Sequence, residues 1–242
     1  MNEEKISLWG LFAGIIYGPS ETLGYVGRNL GRLWVGPVLA LALSLAFYAF
    51  ATAPQTAAFN ARTMEQSMLD MPPEQAEMVA KSMATFNSPP VVAAISFFSG
   101  FIVTFILWLI GAGGLYTIVL FAGGESTFKQ MFYLVSWAWL PFILRNFVQG
   151  FYTLLSGQLI IYQGLSGLLA TGDMTADSKN LFITALAQVD IFFLWHLVLI
   201  GLGVAILNRF SQARGAVIGF IYGMVMIGVA LVPGLLGRLF GG

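Results

Sequence analysis

The residues best suited to chemistry lie in the stretch Val189 to His196, which carries an aspartate and the chain's single histidine. Aspartate and histidine side chains commonly act in proton transfer and as metal ligands. Both residues lie within Leu181 to Leu207, a run that is otherwise almost wholly apolar. At about 100° per residue on a helix, Asp190 and His196 point roughly 120° apart. The spacing therefore predicts that they do not form a catalytic dyad.

A better partner for Asp190 is Arg145, the basic residue within a neighbouring apolar run. At a rise of about 1.5 Å per residue, Arg145 lies about 22 Å from Gln130, and Asp190 lies about 25 Å from Leu207. Both are therefore expected at a similar depth in the outer half of a bilayer. An unpaired charge there costs on the order of a few kcal/mol. We therefore predict an intramembrane pair between Arg145 and Asp190.

Other polar side chains lie near this level, and three of them are candidates to join the pair: Asn146, Gln149 and Gln188. His196 is expected to be neutral and to form hydrogen bonds across helices. The pair itself has three interpretations. It fixes the packing of two spans, it lines a polar cavity or pathway, or Asp190 extends to the outer interface.

Enzyme motifs are weak in this chain. Gly164-Leu165-Ser166-Gly167 has the Gly-x-Ser-Gly form of intramembrane serine proteases, and it would need Ser166 within hydrogen-bond reach of His196. Gly123-Gly124-Glu125-Ser126 lacks the lysine of a phosphate-binding loop and is typical of a turn. We therefore assign no catalytic residue, no metal site and no cofactor, and expect the protein not to be an enzyme.

The composition is that of a membrane protein. Hydrophobic residues make up 58% and charged residues 9% of the 242 residues, against about 45–50% and about 25% in soluble domains. The formal net charge is zero, which excludes the basic surface that nucleic-acid binding requires. The chain has no cysteine, so disulfides and thiolate chemistry are excluded.

Apolar runs of about 20 residues, the length of a membrane-spanning helix, predict an all-α, multi-pass bundle of five spans. The five spans are Trp34 to Ala53, Val91 to Ala122, Met131 to Ser156, Leu181 to Leu207, and Ala216 to Leu236. The glycine-rich segment Gly157 to Gly172 is ambiguous. It spans as a sixth helix, re-enters the membrane or lies in the interface.

Two regions outside the spans complete the predicted domain organisation. Residues 1–32 form a cytoplasmic or interfacial arm, in which Ile6 to Gly18 is an apolar helix too short to cross. Residues 33–242 form the transmembrane domain, with an outer polar loop at 54–90. We expect a helix to begin at Pro73 within that loop.

The basic residues indicate which side each loop occupies. With the N-terminus inside, six lie on the inner flanks: Lys5, Arg28, Arg32, Lys129, Arg209 and Arg214. Four lie outside: Arg62, Lys81, Lys179 and Arg238. This bias favours a cytoplasmic N-terminus and an external C-terminus, in the bacterial cytoplasmic (inner) membrane.

Three motifs together resemble the Ypt-interacting-protein (Yip) membrane family, in particular its prokaryotic branch. They are Gly18-Pro19-Ser20-Glu21-Thr22-Leu23, Gly123-Gly124-Glu125-Ser126-Thr127-Phe128-Lys129-Gln130 running into Trp137-Ala138-Trp139-Leu140-Pro141, and Val189-Asp190-Ile191-Phe192-Phe193-Leu194-Trp195. The resemblance covers about Gly18 to Leu236. The positions that carry it are Pro19, Gly123, Gly124, Pro141, Asp190 and Trp195.

The resemblance implies a five-span bundle with a cytoplasmic N-terminus. Eukaryotic relatives lie in Golgi and endoplasmic reticulum membranes and interact with Rab-type GTPases. This chain has only a short N-terminal arm, so Rab binding is not carried over to it.

We expect a non-enzymatic membrane scaffold or adaptor that acts through helix packing, contact with membrane lipids and self-association as a homo-oligomer. The alternative is a small transporter or channel component with a polar cavity lined by Arg145 and Asp190. An intramembrane serine protease is the remote alternative.

Overall fold

A computed structural model describes residues 6–69 and 71–240, where the chain forms helices and no strands. The first five residues of the predicted arm, including Lys5, lie outside these ranges, as does residue 70 of the predicted polar loop. The α-helices are α1 (Leu8–Tyr17), α2 (Pro19–Arg28), α3 (Val35–Met68), α4 (Pro73–Phe86), α5 (Pro89–Phe121), α6 (Phe128–Ala138), α7 (Leu140–Ser156), α8 (Met174–Lys179), α9 (Leu181–Ala187), α10 (Ile191–Asn208) and α11 (Gln212–Phe240).

Five helical segments in these ranges are long and apolar enough to cross a membrane, which confirms the predicted number of spans. The segments are Val35–Met68, Pro89–Phe121, Phe128–Ser156, Ile191–Asn208 and Gln212–Gly237. The third consists of α6 and α7, which are separated at Trp139. Pro141 lies in the first turn of α7, where its missing N–H costs no helical hydrogen bond.

The apolar run Leu181 to Leu207, predicted to hold the fourth span, is not one continuous helix. The chain leaves the helical conformation after Ala187 and resumes it at Ile191, so α9 and α10 are separate helices. Only α10 is long enough to span. The ambiguous segment Gly157 to Gly172 contains a 3₁₀ turn at Gly164–Leu168 rather than a sixth spanning helix.

The predicted outer polar loop is largely helical. α3 continues for 34 residues, through Pro54, to Met68, which is about 51 Å at about 1.5 Å per residue. α4 then begins at Pro73, as predicted. The helices therefore extend well beyond a hydrocarbon core of about 30 Å.

The N-terminal region contains one helix more than predicted. The sequence indicated α1, which Ser7 caps by accepting a hydrogen bond from the Gly10 N–H. It did not indicate α2, which starts with Pro19 and buries Leu23 and Val26. α2 packs against α1, α6 and α10.

The chain divides into two compact units. The first contains the described residues up to 39, residues 106–142 and residues from 162 onward; the second contains residues 40–105 and 143–161. In the first unit, α10 packs against α2, α6 and α11. Its fully buried side chains include Trp108, Trp137 and Tyr222.

Glycines allow α10 and α11 to approach at backbone distance. A Cβ at Gly201 would lie 3.0 Å from the Gly215 carbonyl oxygen, and one at Gly219 would lie 2.9 Å from the Leu197 carbonyl oxygen. In the absence of a hydrophobic driving force within lipid, such close contact supplies much of the attraction between helices.

In the second unit, small side chains bring α3 and α5 together. Ala53 and Ala57 of α3 form a buried cluster with Val92 and Ala93 of α5. Nearer the start of α3, Phe47 packs on Phe147 and Phe151 of α7, with ring centroids 5.3 and 4.7 Å apart.

Candidate functional site

Asp190 lies at the N-terminus of α10, not within a helix. Its Oδ1 accepts a hydrogen bond from the Phe193 N–H at 2.7 Å, which makes it the N-cap of that helix. The preceding Gln188 ends α9, and its side-chain amide donates weakly to the Thr184 carbonyl at 3.5 Å. A carboxylate at a helix N-terminus also interacts favourably with the helix dipole. The cap is thus one structural reason for an aspartate within an apolar run.

Arg145, Asn146 and Gln149 lie on α7 in the second unit, whereas Asp190 lies in the first. Asn146 has a local partner, because its Nδ2 donates to the Ser44 hydroxyl of α3 at 3.2 Å. The pairing of Arg145 with Asp190 stays a prediction, as does the wider polar network with Gln149 and Gln188.

His196 is buried inside the first unit, with 2% of its surface exposed. Its Nδ1 lies 2.7 Å from the Ala138 carbonyl oxygen of α6, and its Nε2 lies 3.4 Å from the Tyr222 hydroxyl of α11. A carbonyl can only accept, so Nδ1 carries the proton; in the neutral ring that the sequence predicts, Nε2 then accepts from the Tyr222 hydroxyl. The imidazole therefore connects three helices.

An aromatic group surrounds His196 within the first unit. The rings of Trp139 and Tyr222 lie 5.4 and 5.7 Å from the imidazole, centroid to centroid. The neighbouring Trp195 is only partly buried, although the sequence motif includes it. These contacts place His196 in a packed, mainly aromatic environment.

The geometry does not supply the serine–histidine bond of a protease. The Ser166 hydroxyl donates to the Gln163 carbonyl at 2.6 Å. Both ring nitrogens of His196 have other partners, as described above. Since catalysis requires the serine and its base to be hydrogen-bonded, this arrangement does not activate Ser166.

The motif around Gly123 and Gly124 forms a loop of the first unit that side-chain hydrogen bonds hold in place. Asn208, the last residue of α10, accepts through Oδ1 from the Glu125 N–H at 3.1 Å, the Ser126 N–H at 3.1 Å and the Ser126 hydroxyl at 2.8 Å. Its Nδ2 donates to the Val204 carbonyl at 3.0 Å. One amide side chain thereby ties the loop between the second and third spans to the end of the fourth.

Both glycines of the motif are required by this geometry. Gly123 has φ of 70°, a left-handed conformation that favours glycine. A Cβ at Gly124 would lie 2.6 Å from the Asn208 Oδ1. The resemblance identified these positions, but no signal in the sequence singled out Asn208, because a polar residue at the end of a span is expected anyway.

Further contacts fix this region. Thr127 and Gln130 form a reciprocal capping box at the start of α6, and the Gln130 amide also donates to the Gly27 carbonyl of α2 at 3.2 Å. The Arg214 guanidinium donates to the Ala122 carbonyl and stacks on the Phe210 ring, 4.1 Å from its centroid. We call residues 122–130 and 207–214 the Asn208 junction.

A mostly polar cavity of about 410 Å³ opens in the Asn208 junction. It is lined by Gly123, Glu125, Ser126, Gln130, Leu207, Asn208 and Arg209. Loop 122–127 follows the second span and residues 209–211 follow the fourth, so five consecutive crossings place both on one membrane face. Its volume lies within the range of about 300–1,000 Å³ that is typical of small-ligand pockets.

A second polar cluster lies in the segment between α7 and α9, around the buried Asp177. Its carboxylate accepts from the Tyr162 hydroxyl at 2.8 Å and from the N–H groups of Thr171 and Gly172. Burial raises the pKa of Asp177, but these hydrogen bonds outweigh it and hold the pKa below its usual value. The bond to Asp177 in turn raises the pKa of the Tyr162 phenol.

Comparison with known proteins identifies the family. The Yip1 domain family matches residues 13–232, a range that includes all three motifs noted in the sequence. Neither the comparison with curated proteins nor that with solved structures found a match. Because the family match covers most of the chain and the five spans are present, the protein is an integral membrane protein of the Yip1 domain family.

Proposed function

We propose that this protein is a non-enzymatic membrane scaffold or adaptor, which acts through helix packing, contact with lipids and self-association. The observation that carries this proposal is the use of the reactive side chains. His196 connects α6, α10 and α11, and the Asp190 carboxylate caps α10. Groups that could have transferred protons are instead engaged in holding helices in place.

The exposed apolar surface supports the lipid and self-association parts of the proposal. Ile102, Val103 and Leu109 of α5 expose 56%, 53% and 42% of their surfaces. Such side chains are suited to lipid or to a second copy of the chain, since both offer only dispersion contacts within the bilayer. The bias of the basic flanks favours the bacterial cytoplasmic membrane with the N-terminus inside.

Self-association can be tested in liposomes by energy transfer between labelled copies. The chain has no cysteine, so Lys81→Cys on the exposed part of α4 gives a single labelling site. The surface ion pair of Lys81 with Glu77 contributes little to stability. We expect transfer that persists as the lipid-to-protein ratio rises. Transfer that falls to the level of random mixing would contradict self-association.

The transporter alternative predicts a different role for Asp190, which two substitutions separate. Asn caps helices about as well as Asp, so Asp190→Asn keeps the cap and loses the charge, whereas Asp190→Ala loses both. The scaffold proposal expects proteoliposomes of the wild type and of both variants to show no proton or potassium flux. Flux that Asp190→Asn abolishes, with stability retained, would establish transport instead.

The same series tests the predicted pair with Arg145. If Asp190 neutralises Arg145, Asp190→Asn and Arg145→Ala should each lower the melting temperature in detergent. The exchange Arg145→Asp with Asp190→Arg should then restore it. Equal stability of Asp190→Asn and the wild type would mean that Asp190 does not neutralise Arg145 and acts only as the N-cap of α10.

A further inference from the structure

The cavity of the Asn208 junction has two opposite charges in its wall. Glu125 and Arg209 both line it, and both are exposed. Neither side chain has a hydrogen-bond or ion-pair partner within the described ranges. We propose that this cavity binds a phosphate ester that carries a primary ammonium group, with Arg209 on the phosphate and Glu125 on the ammonium.

The remaining polar groups of the cavity are already occupied. Asn208 makes three hydrogen bonds within the junction and a fourth to Val204, and the Gln130 amide bonds to Gly27 and Thr127. The N–H groups of Gly123 and Gly124 donate to carbonyls of α5. These polar groups therefore already have hydrogen-bond partners within the protein. The groups left to bind a ligand are the charged side chains of Glu125 and Arg209.

The chemistry of these two groups selects the ligand class. A planar guanidinium matches two oxygens of a phosphate with parallel hydrogen bonds. A carboxylate only accepts, so it recognises an ammonium that has N–H donors. A quaternary ammonium lacks these donors, and an ester without nitrogen leaves Glu125 unpaired. The ethanolamine phosphoester satisfies both charges.

The backbone at Arg209 gives independent support. Arg209 follows α10 with φ of 54° and ψ of 34°, and it is the only residue other than glycine with positive φ in the part of the chain described. A Cβ makes this left-handed conformation unfavourable, and helices usually place glycine or asparagine here. Such strain is characteristic of functional positions. The long cationic side chain at the cavity explains why glycine is not used.

The position suits a lipid headgroup. The cavity lies where the second and fourth spans end and the third begins, and the ends of membrane-spanning helices generally lie near the phospholipid headgroups. Phosphatidylethanolamine would place its phosphate and ammonium there with its acyl chains beside the apolar helices. A soluble phosphoethanolamine ester shares this chemistry, so the two sources require separate measurements.

The experiment is a titration of lipid-stripped protein in neutral detergent, followed by native mass spectrometry. The lipids are dioleoyl-phosphatidylethanolamine, dioleoyl-phosphatidylcholine and dioleoyl-phosphatidylglycerol, and glycerophosphoethanolamine is the soluble competitor. We expect the ethanolamine lipid to bind most tightly. Arg209→Gly should weaken it roughly tenfold or more, as expected for loss of a charged hydrogen bond. Glu125→Gln should reduce it to the level of phosphatidylglycerol.

Two matched variants on the same membrane face serve as controls. Arg32→Ala and Glu21→Gln remove the same charges, but neither residue lines the cavity, so the preference should be unchanged. Arg209→Gly relieves backbone strain, so we expect the variant to stay folded. A melting curve verifies that its loss of binding does not come from unfolding. Equal losses in Arg32→Ala, or no preference for ethanolamine, would overturn the proposal.

The competitor separates the two sources of the ligand. Displacement of the lipid by comparable concentrations of glycerophosphoethanolamine would identify a soluble ester as sufficient. Binding of the lipid without such competition would identify the membrane lipid. If neither compound binds, the site does not recognise this chemistry.

Discussion

The Asn208 junction and the α3–α4 hairpin, residues 57–87, are both places where the chain turns back between helices. The junction is held by polar contacts, because one asparagine makes four hydrogen bonds and Gly124 leaves no room for a side chain. In the hairpin, Asn87 donates to the Ala57 carbonyl at 2.8 Å and accepts from Asn60 at 3.3 Å. Its two helices also enclose a mainly apolar groove of about 710 Å³, which both asparagines line at one end.

The difference concerns what each region can tolerate. Hydrogen bonds with fixed geometry define one arrangement, so a change in the junction removes specific partners. Methionines such as Met64, Met78 and Met83 line the hairpin groove, and flexible thioether side chains adapt to altered packing. We therefore expect the junction to be sensitive to single substitutions and the hairpin to be tolerant.

The largest expected effect is at the helix pair beneath the junction. A Cβ at Gly215 would lie 2.8 Å from the Ala205 Cβ and would also strike the Gly201 backbone. Backbone cannot yield as a side chain does, so Gly215→Val should separate α10 from α11 and cost more than about 3 kcal/mol. Melting temperature in detergent and the yield of monodisperse protein measure this.

Gly228→Val is the matched control on the same helix, because a Cβ at Gly228 meets nothing within 4 Å. It should change the melting temperature little. Equal damage from both substitutions would mean that valine harms α11 generally, and the close approach at Gly215 would lose its importance.

The next effect compares the two asparagines directly. Asn208→Ala removes the acceptor of three hydrogen bonds and leaves the Glu125 and Ser126 N–H groups unpaired, which should cost about 2–3 kcal/mol. Asn87→Ala removes the hairpin tie but exposes its partners to water, and should cost less than about 1 kcal/mol. Hydrogen exchange should show deprotection of loop 122–127 in the first variant and of the hairpin in the second.

Equal destabilisation by these two substitutions would remove the distinction between the regions. So would a loop 122–127 that stays fully protected in Asn208→Ala, since the asparagine would then not be what holds it.

The sequence predicted the all-helical class and five spans because hydrocarbon requires long apolar helices, and that constraint is readable from composition. It did not predict the break before α10. The run around Asp190 is apolar throughout, and hydropathy cannot distinguish a capping aspartate from an intramembrane one. In the hairpin beyond the first span, the sequence predicted the start of α4 at Pro73. It did not predict that the helix of the first span continues unbroken to Met68, since the polar residues there resemble those of a loop.

The candidate site was predictable only in part. The paired glycines marked loop 122–127 through the family resemblance. Asn208 lies more than 80 residues away in sequence, so its role follows from tertiary structure alone. The strain at Arg209 is likewise a property of the backbone, which no residue pattern in the sequence indicated.

Glycine substitutions in the two regions should change stability by smaller amounts and in opposite directions, and Arg209→Gly is the one in the junction. Glycine adopts the left-handed conformation without the cost that a Cβ imposes, so the variant should be more stable by about 1 kcal/mol. Arg62→Gly in the helical part of the hairpin should instead be destabilising by up to about 1 kcal/mol. A melting temperature of Arg209→Gly at or below that of the wild type would show that the side chain of Arg209 stabilises the fold.

The smallest expected effect is that of acid, which should loosen the segment around Asp177 but not the Asn208 junction. Because the folded pKa of Asp177 lies below its unfolded value, its contribution is fully present above about pH 4 and is lost as the pH falls through the folded pKa. The Asn208 amide does not titrate. Hydrogen-exchange protection, corrected for intrinsic rates, should therefore fall at the Thr171 and Gly172 N–H groups below about pH 4 and persist at those of Glu125 and Ser126.

Two substitutions provide the control. Asp177→Asn should lower the exchange protection of this segment already at neutral pH. Asp173→Asn should not, because asparagine can still cap α8 through the contact with the Ala176 N–H. Equal loss of exchange protection in both regions would mean that acid opens the first unit as a whole. Protonation of the Asp177 carboxylate would then not be what loosens its segment.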